Sequence, residues 1–271
     1  DEKIQALNHH GKFEASKDFT LVEKLDCILI CVPTPLNKNR EPDLSYIVST
    51  AKQISRHMRK GQLIVLESTT YPGTTRELLL PELTKNNNLE VGKDLFLAFS
   101  PERVDPGNKE FHTRNTPKVL GAMTEDGVEI GEALYLKAID NIHKVSSPRV
   151  SEMVKILENT YRLVNISLIN ELALLAGKMD INIWEVIEAA KTKPFGFQAF
   201  YPGPGIGGHC IPLDPFYLEH IAKKYDFDLS MIHAAGHINM RMPHYMYIKI
   251  ATALNYHNKA VNGSKVLFIG V

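Results

Sequence analysis

Cysteine is scarce in this chain, and so are tryptophan and net charge. Among 271 residues there are three cysteines and one tryptophan, and 31 Lys plus Arg balance 31 Asp plus Glu. Cys27, Cys31 and Cys210 are too few and too scattered for a disulfide framework, which points to a reducing, cytoplasmic setting. The charge balance leaves no global field to draw in nucleic acid or an anionic membrane, so neither is expected as a partner. No apolar run approaches the roughly 18 residues a membrane span needs. No internal repeat or low-complexity segment is visible. What remains, 44% hydrophobic and 23% charged, is the composition of a globular protein long enough for two domains.

The first half alternates between strand and helix. Residues 26–32, Asp-Cys-Ile-Leu-Ile-Cys-Val, form an apolar run expected to be a strand buried on both faces, with Cys27 and Cys31 in the core. Pro33-Thr34-Pro35 ends it. Helices are expected at Asp43 to about Met58, Thr74–Leu83 and Glu125–Ala138. Further strands are expected at Gln62–Glu67, Leu95–Ser100, Lys118–Leu120 and His143–Val145. Such alternation predicts an α/β domain with a parallel sheet covered by helices on both faces. Ligands of such sheets bind beyond the carboxyl ends of the strands. Thr34, Thr69 and Glu102 each stand just after a strand. Any one reads as an ordinary turn residue; the three together favour a ligand site.

From Ser147 the character is helical. Pro148 to Gly177 reads as one helix capped by Ser147, roughly 45 Å long, of a kind that commonly joins two domains. Leu157, Val164, Leu168, Leu172 and Leu175 are expected to supply its apolar packing. Lys155, Asn159 and Arg162 share another face of it. A solvated stripe is their ordinary meaning; the sharper one is a cation and an amide that can hold an oxyanion. Helices follow at Asn182–Ala190, Pro215–Lys224 and Leu229 to about Tyr256, the last expected to kink or break at Pro243. Both ends look cut. Asp1 opens without Met inside an apparent helix, and Lys265 to Val271 has the pattern of a buried strand leading into another α/β unit.

Between the shorter helices lies Gly203-Pro204-Gly205-Ile206-Gly207-Gly208-His209-Cys210-Ile211-Pro212-Leu213-Asp214-Pro215. No repetitive structure can run through it. Asp214 reads as the N-cap of the next helix and Pro215 as its first residue. Cys210 thus precedes a helix N-terminus, where peptide dipoles favour an anion and so a nucleophilic thiolate. The bland reading is a small buried hydrophobe beside an ordinary cap. A zinc site on His209 and Cys210 fits poorly, since adjacent ligands suit tetrahedral geometry badly, and no metal is expected.

These segments resemble the UDP-glucose and UDP-N-acetylhexosamine 6-dehydrogenase family. The motifs that carry the resemblance are Ile30-Cys31-Val32-Pro33-Thr34-Pro35, Glu67-Ser68-Thr69-Thr70, Ser100-Pro101-Glu102-Arg103, Lys155-Ile156-Leu157-Glu158-Asn159 and Gly207-Gly208-His209-Cys210-Ile211-Pro212-Leu213-Asp214, in the family's order. The resemblance implies three domains. An NAD-binding Rossmann-like domain at 1–146 would lack its N-terminal part, including the glycine-rich phosphate turn. A central all-helical domain would span 147–258, and 259–271 would begin a UDP-binding α/β domain. The implied reaction is a four-electron oxidation of the sugar C6 alcohol to a carboxylate by two NAD+, through a thiohemiacetal and thioester on Cys210. Lys155 and Asn159 would hold the oxyanion, and Asp214 would act as base or orient water. Thr69 and Glu102 would serve that water and the nicotinamide end, with Val32, Pro33 and Thr34 contacting NAD. Arg103, Val104, Lys155, Asn159, Arg162, Gly203 and Gly207 would bind the UDP-sugar. His209, Leu213 and Arg103-Val104-Asp105-Pro106-Gly107-Asn108 look like the N-acetylhexosamine branch, nearer its N-acetylglucosamine than its N-acetylmannosamine enzymes. Those two and UDP-glucose stay open as substrates. A homodimer or higher homo-oligomer paired through the long helix is also implied. The rivals are a single-step hydroxyacid dehydrogenase, which needs no thiol, and a nucleotide-sugar-binding protein without catalysis.

Overall fold

A computed structural model describes residues 2–37, 41–105, 107–208, 211 and 214–269. The chain separates into two compact units, Asp1–Lys155 and Ile156–Val271. The first holds helix α1 (Glu2–His9), strand β1 (Cys27–Ile30), helix α2 (Ser45–Ser55), strand β2 (Gln62–Leu66), helix α3 (Leu80–Thr84), strands β3 (Leu95–Phe99) and β4 (Lys118–Ala122), helix α4 (Glu125–Tyr135) and strand β5 (Ile142–Val145). Helix α5 (Pro148–Lys178) begins in it and continues into the second unit, which adds α6 (Ile183–Lys191), α7 (Asp214–Ala222) and α8 (Ser230–Tyr256).

The five strands form one sheet in the order β1-β2-β3-β4-β5. Alternating side chains of β2 feed two cores, one on each face. Ile64 and Leu66 join Ile47, Ala51 and Ile54 of α2 with Leu79 and Leu83. Leu63 and Val65 join Leu120, Ala122 and Tyr135 of α4. Burying each such side chain contributes about 1.5–3 kcal/mol, so β2, buried along its whole length, fixes both layers.

Three strand pairs are parallel, as the alternation predicts, but β4 runs antiparallel to β3. The reason is local. A parallel return needs a crossover, usually a helix, and the described residues of 100–117 contain none. The expectation for β1 also needs correcting. Ile28 and Ile30 are buried, but Leu29 and Cys31 are exposed and Cys27 is half-buried. Among the described residues β1 is the outermost strand on its side of the sheet; Ile28 and Ile30 join one core, and on the other face only Cys27 packs against the second.

Gly121 positions the start of α5, because a Cβ there would lie 2.2 Å from the Ser147 carbonyl oxygen. A π turn at Thr75–Leu79 leads directly into α3. Helix α8 runs unbroken through Pro243. In the second unit Leu163, Ile211, Ile232 and Ala235 form the core, with Val164, Ile166, Ile206, Leu218 and Leu229 packed against it. Leu157, Leu168, Leu172 and Leu175 do not take part and are exposed. Among the described residues of the expected strand from Lys265, 265–269 take no regular structure and are exposed.

Candidate functional site

In the first unit the expected residues gather at the carboxyl ends of β1 and β2. Thr34 Oγ1 donates to the Thr69 carbonyl at 2.8 Å, and Ser68 Oγ donates to the Val32 carbonyl at 2.7 Å. The two post-strand loops are therefore laced together. Cys31 and Pro33 are exposed there, with Val32, Thr34 and Thr69 half-buried. In open α/β sheets ligands bind beyond the carboxyl ends of the strands, which is where these two loops lie. The buried Thr70 hydroxyl at the same end has no partner among the described atoms.

The turn after β3 is held from several sides. The Glu102 carboxylate accepts from the backbone N–H of Arg103 at 2.7 Å and of Val104 at 2.6 Å. Lys155 Nζ donates to the Glu102 carbonyl at 2.7 Å, and Arg103 Nη1 to the Pro117 carbonyl at 2.6 Å. Lys118, buried at the start of β4, donates to the Pro101 carbonyl at 3.3 Å and lies 3.3 Å from a Glu67 carboxylate oxygen. Glu67 also accepts the Tyr135 hydroxyl and, at 3.6 Å, the Cys31 thiol. Burial, and then the Glu67 charge, push the Tyr135 phenol far up. The same two causes push the Cys31 thiol up to about 11, its sulfur being turned onto Glu67 although the residue is exposed.

Sequence reasoning missed this Glu67–Lys118–Tyr135 cluster. The signal was a charged residue opening an otherwise apolar strand. It also missed Glu152, which lies one turn before Lys155 on α5. The buried Glu152 carboxylate accepts from the backbone N–H of Gly73, from that of Thr75 at 2.8 Å and from the Thr75 hydroxyl at 2.6 Å. Burial raises its carboxyl above the ordinary value, against the lowering by those bonds and Arg149.

In the second unit Asn159 is buried on α5 and donates through its amide to the buried carboxylate of Asp214, the first residue of α7. Arg162 is exposed, as are Gly207 and Gly208. Both glycines have left-handed φ, +63° and +76°, which strain any side chain. Gly203 is half-buried, and its N–H donates to Asn170 Oδ1 at 2.9 Å. Cys210 and His209 lie outside the described residues, as do Pro106, Pro212 and Leu213. No group of three or more His, Cys, Asp or Glu converges as a metal site among the described residues. None of the described helices is long and apolar enough to cross a membrane.

A mostly parallel sheet with polar groups at its strand ends, followed by a helical unit, defines a two-part α/β protein of the nucleotide-binding class. The chain belongs to the UDP-glucose/GDP-mannose dehydrogenase family: the family's NAD binding domain matches residues 1–139 and its central domain residues 149–241. It is 37% identical over 272 residues to a UDP-N-acetyl-D-glucosamine 6-dehydrogenase of Pseudomonas aeruginosa, covering 99% of this chain and 64% of that one. It is 36% identical over 245 residues to a UDP-N-acetyl-D-mannosamine dehydrogenase of Pyrococcus horikoshii, covering 90% and 57%. The solved structure of a UDP-D-ManNAc dehydrogenase from Pyrococcus horikoshii superposes with a TM-score of 0.86 at 35% identity, covering 96% of this chain and 60% of that one. The chain thus spans about three fifths of the length of these relatives.

Proposed function

We propose that the protein oxidises the C6 alcohol of a UDP-N-acetylhexosamine, UDP-N-acetylglucosamine by preference, to the uronic acid at the expense of two NAD+. Bound NAD would accept the hydride removed from C6 in each of two oxidations, held by Val32, Pro33, Thr34 and Thr69 at the strand ends. Every other step falls to the chain. The Cys210 sulfur adds to the C6 aldehyde left by the first oxidation, forming a C–S bond and an oxyanion. Lys155 and Asn159 stabilise that oxyanion. After the second oxidation the resulting thioester is hydrolysed: water adds to the carbonyl, and the C–S bond breaks to return the thiolate. Asp214 orients or deprotonates that water, with Thr69 and Glu102 serving it from the nicotinamide side. Arg103, Val104, Arg162 and the backbone from Gly203 to Gly208 surround the sugar and diphosphate.

The observation that most supports the reading is the buried Asn159–Asp214 pair. The Asp214 carboxylate, four residues after Cys210, and the Asn159 amide that donates to it are held away from bulk water, where polar groups are costly unless used or fully satisfied. The preference for UDP-N-acetylglucosamine draws on His209, Leu213 and the 37% identity to an enzyme of that name. Domains at 1–146, 147–258 and 259–271, the last opening a UDP-binding domain, and a homodimer belong to the same proposal.

The test is NADH formation by the full-length protein, offered UDP-N-acetylglucosamine, UDP-N-acetylmannosamine and UDP-glucose in parallel. Two NADH per UDP-N-acetylglucosamine, abolished by Cys210→Ser, is the expected result. Turnover of UDP-N-acetylmannosamine or UDP-glucose alone would move the substrate, and a fully active Cys210→Ser would reject the thioester route.

A further inference from the structure

In the second unit the proposed chemistry leaves a set of buried polar groups unused. Ser167, Asn170 and Asn239 are 1%, 0% and 7% exposed, between α5 and α8. Polar side chains placed there are costly unless their bonds are made, and each makes them. Asn239 Nδ2 donates to Ser167 Oγ at 2.8 Å, and Ser167 Oγ donates to the Leu163 carbonyl at 2.6 Å. Asn170 Nδ2 donates to Asn239 Oδ1 at 2.8 Å. The chain of bonds ends outside the helices, where Asn170 Oδ1 accepts the Gly203 N–H.

A second observation points at the same loop. Pro243 has no N–H, so in a helix it deprives the carbonyl four residues earlier of its donor. That carbonyl is Asn239. Its oxygen lies 3.9 Å from where a Gly205 Cβ would stand. Asn239 therefore faces the glycine loop twice, through Asn170 to Gly203 and through its own carbonyl toward Gly205. Asn170 also sits three turns along α5 from Asn159 and on the same face, about 16 Å away along one rigid helix.

We propose that Asn170 and Asn239 are positioning residues for the Gly203–Gly208 loop. They set the loop's place relative to Asn159, so the loop meets the UDP-sugar preformed. This rests on the reading of that loop as the sugar-diphosphate site. The rival is a network that merely holds two helices together, and Ser167 separates the two. Ser167→Ala damages the same network but leaves the Asn170–Gly203 bond.

The experiment compares full-length wild type, Asn170→Ala and Ser167→Ala by melting temperature, by hydrogen exchange of the 199–208 segment, and by KM and kcat for UDP-N-acetylglucosamine with NAD saturating. Asn170→Ala should speed exchange at Gly203 and raise KM about tenfold, with kcat within about threefold. Ser167→Ala should lower the melting temperature yet leave KM within about twofold. Equal effects of the two variants, or unchanged exchange and KM in Asn170→Ala, would overturn the proposal. Should Asn170→Ala fail to fold, Pro243→Ala decides. It restores a donor to the Asn239 carbonyl without a cavity, and should speed exchange over 203–208 while leaving the melting temperature level or higher; unchanged exchange overturns the proposal. If wild type makes no NADH with any UDP-sugar, the proposed function fails, and the exchange data alone still judge the anchor.

Discussion

At the scale of single residues, Cys31 illustrates how environment outweighs identity. The Cys31 sulfur faces Glu67, and its thiol is pushed up to about 11. Cys210 precedes a helix N-terminus in sequence, where a thiolate is favoured. Thiol reagents act on the thiolate, so at pH 7–8 labelling by iodoacetamide should fall on Cys210 and spare exposed Cys31. Cys31 labelling should then rise about tenfold per pH unit until the pH nears its value; peptide mapping across pH 7–10 reads this. Fast neutral labelling of Cys31 would mean that Glu67 does not control it. Lys155 carries a second prediction. Its ammonium donates to the Glu102 carbonyl, and in the proposed reaction it faces the oxyanion. Lys155→Ala should lower kcat about 10²–10³-fold, as losses of oxyanion donors do, with a circular-dichroism melt close to wild type.

The element scale shows what could be read from sequence and what could not. Helix α5, the two-sided core on β2, and the helix opened by Asp214 all follow from periodicity and capping patterns local to the chain. The reversal of β4 does not, because it depends on a long segment having no helix to cross with. Nor does the exposure of Cys31: an apolar run looks the same whether or not a partner covers its second face. The candidate site divides the same way. Thr34, Thr69 and Glu102 could be picked by their place after strands, whereas the bonds from Glu152 to Gly73 and Thr75 join residues far apart in sequence. Those bonds make Glu152 the cap of the helical turn at Thr75, a role usually played by a residue next door. Glu152→Gln offers one carbonyl oxygen where two carboxylate oxygens met three donors, so it should cost about 1–3 kcal/mol in urea unfolding. The sign with pH is fixed by the raised value of Glu152. A carboxyl that holds its proton more tightly when folded loses stability as pH rises through that value. The advantage of wild type over the non-titrating glutamine should therefore be largest in mild acid and narrow above it. A gap that widened with pH would mean that the ionised form is the better held.

At the scale of the whole molecule the exposed face of α5 is the feature that no contact among the described residues explains. Leu157, Tyr161, Leu168, Leu172 and Leu175 are 40–59% exposed. At 100° per residue they fall within about 60° of arc, one apolar stripe along the helix. Of the residues expected to supply apolar packing, Val164 joins the helical core, whereas the four leucines stay exposed among the described residues. A stripe of this length in water is what an interface between two copies removes, since contiguous exposed apolar patches mark association surfaces. The proposed homodimer would close it around a two-fold axis, each stripe meeting its own copy. Leu168→Glu combined with Leu175→Glu should weaken such a dimer at least about 100-fold, because each charge would be buried twice, once per copy, without a partner. Sedimentation velocity across micromolar concentrations reads the shift from dimer to monomer, and a melt at low concentration checks that each monomer still folds. A wild-type protein that sediments as a monomer would end the proposal. An unshifted dimer in the double variant would place the interface on another face, leaving the stripe for a different partner.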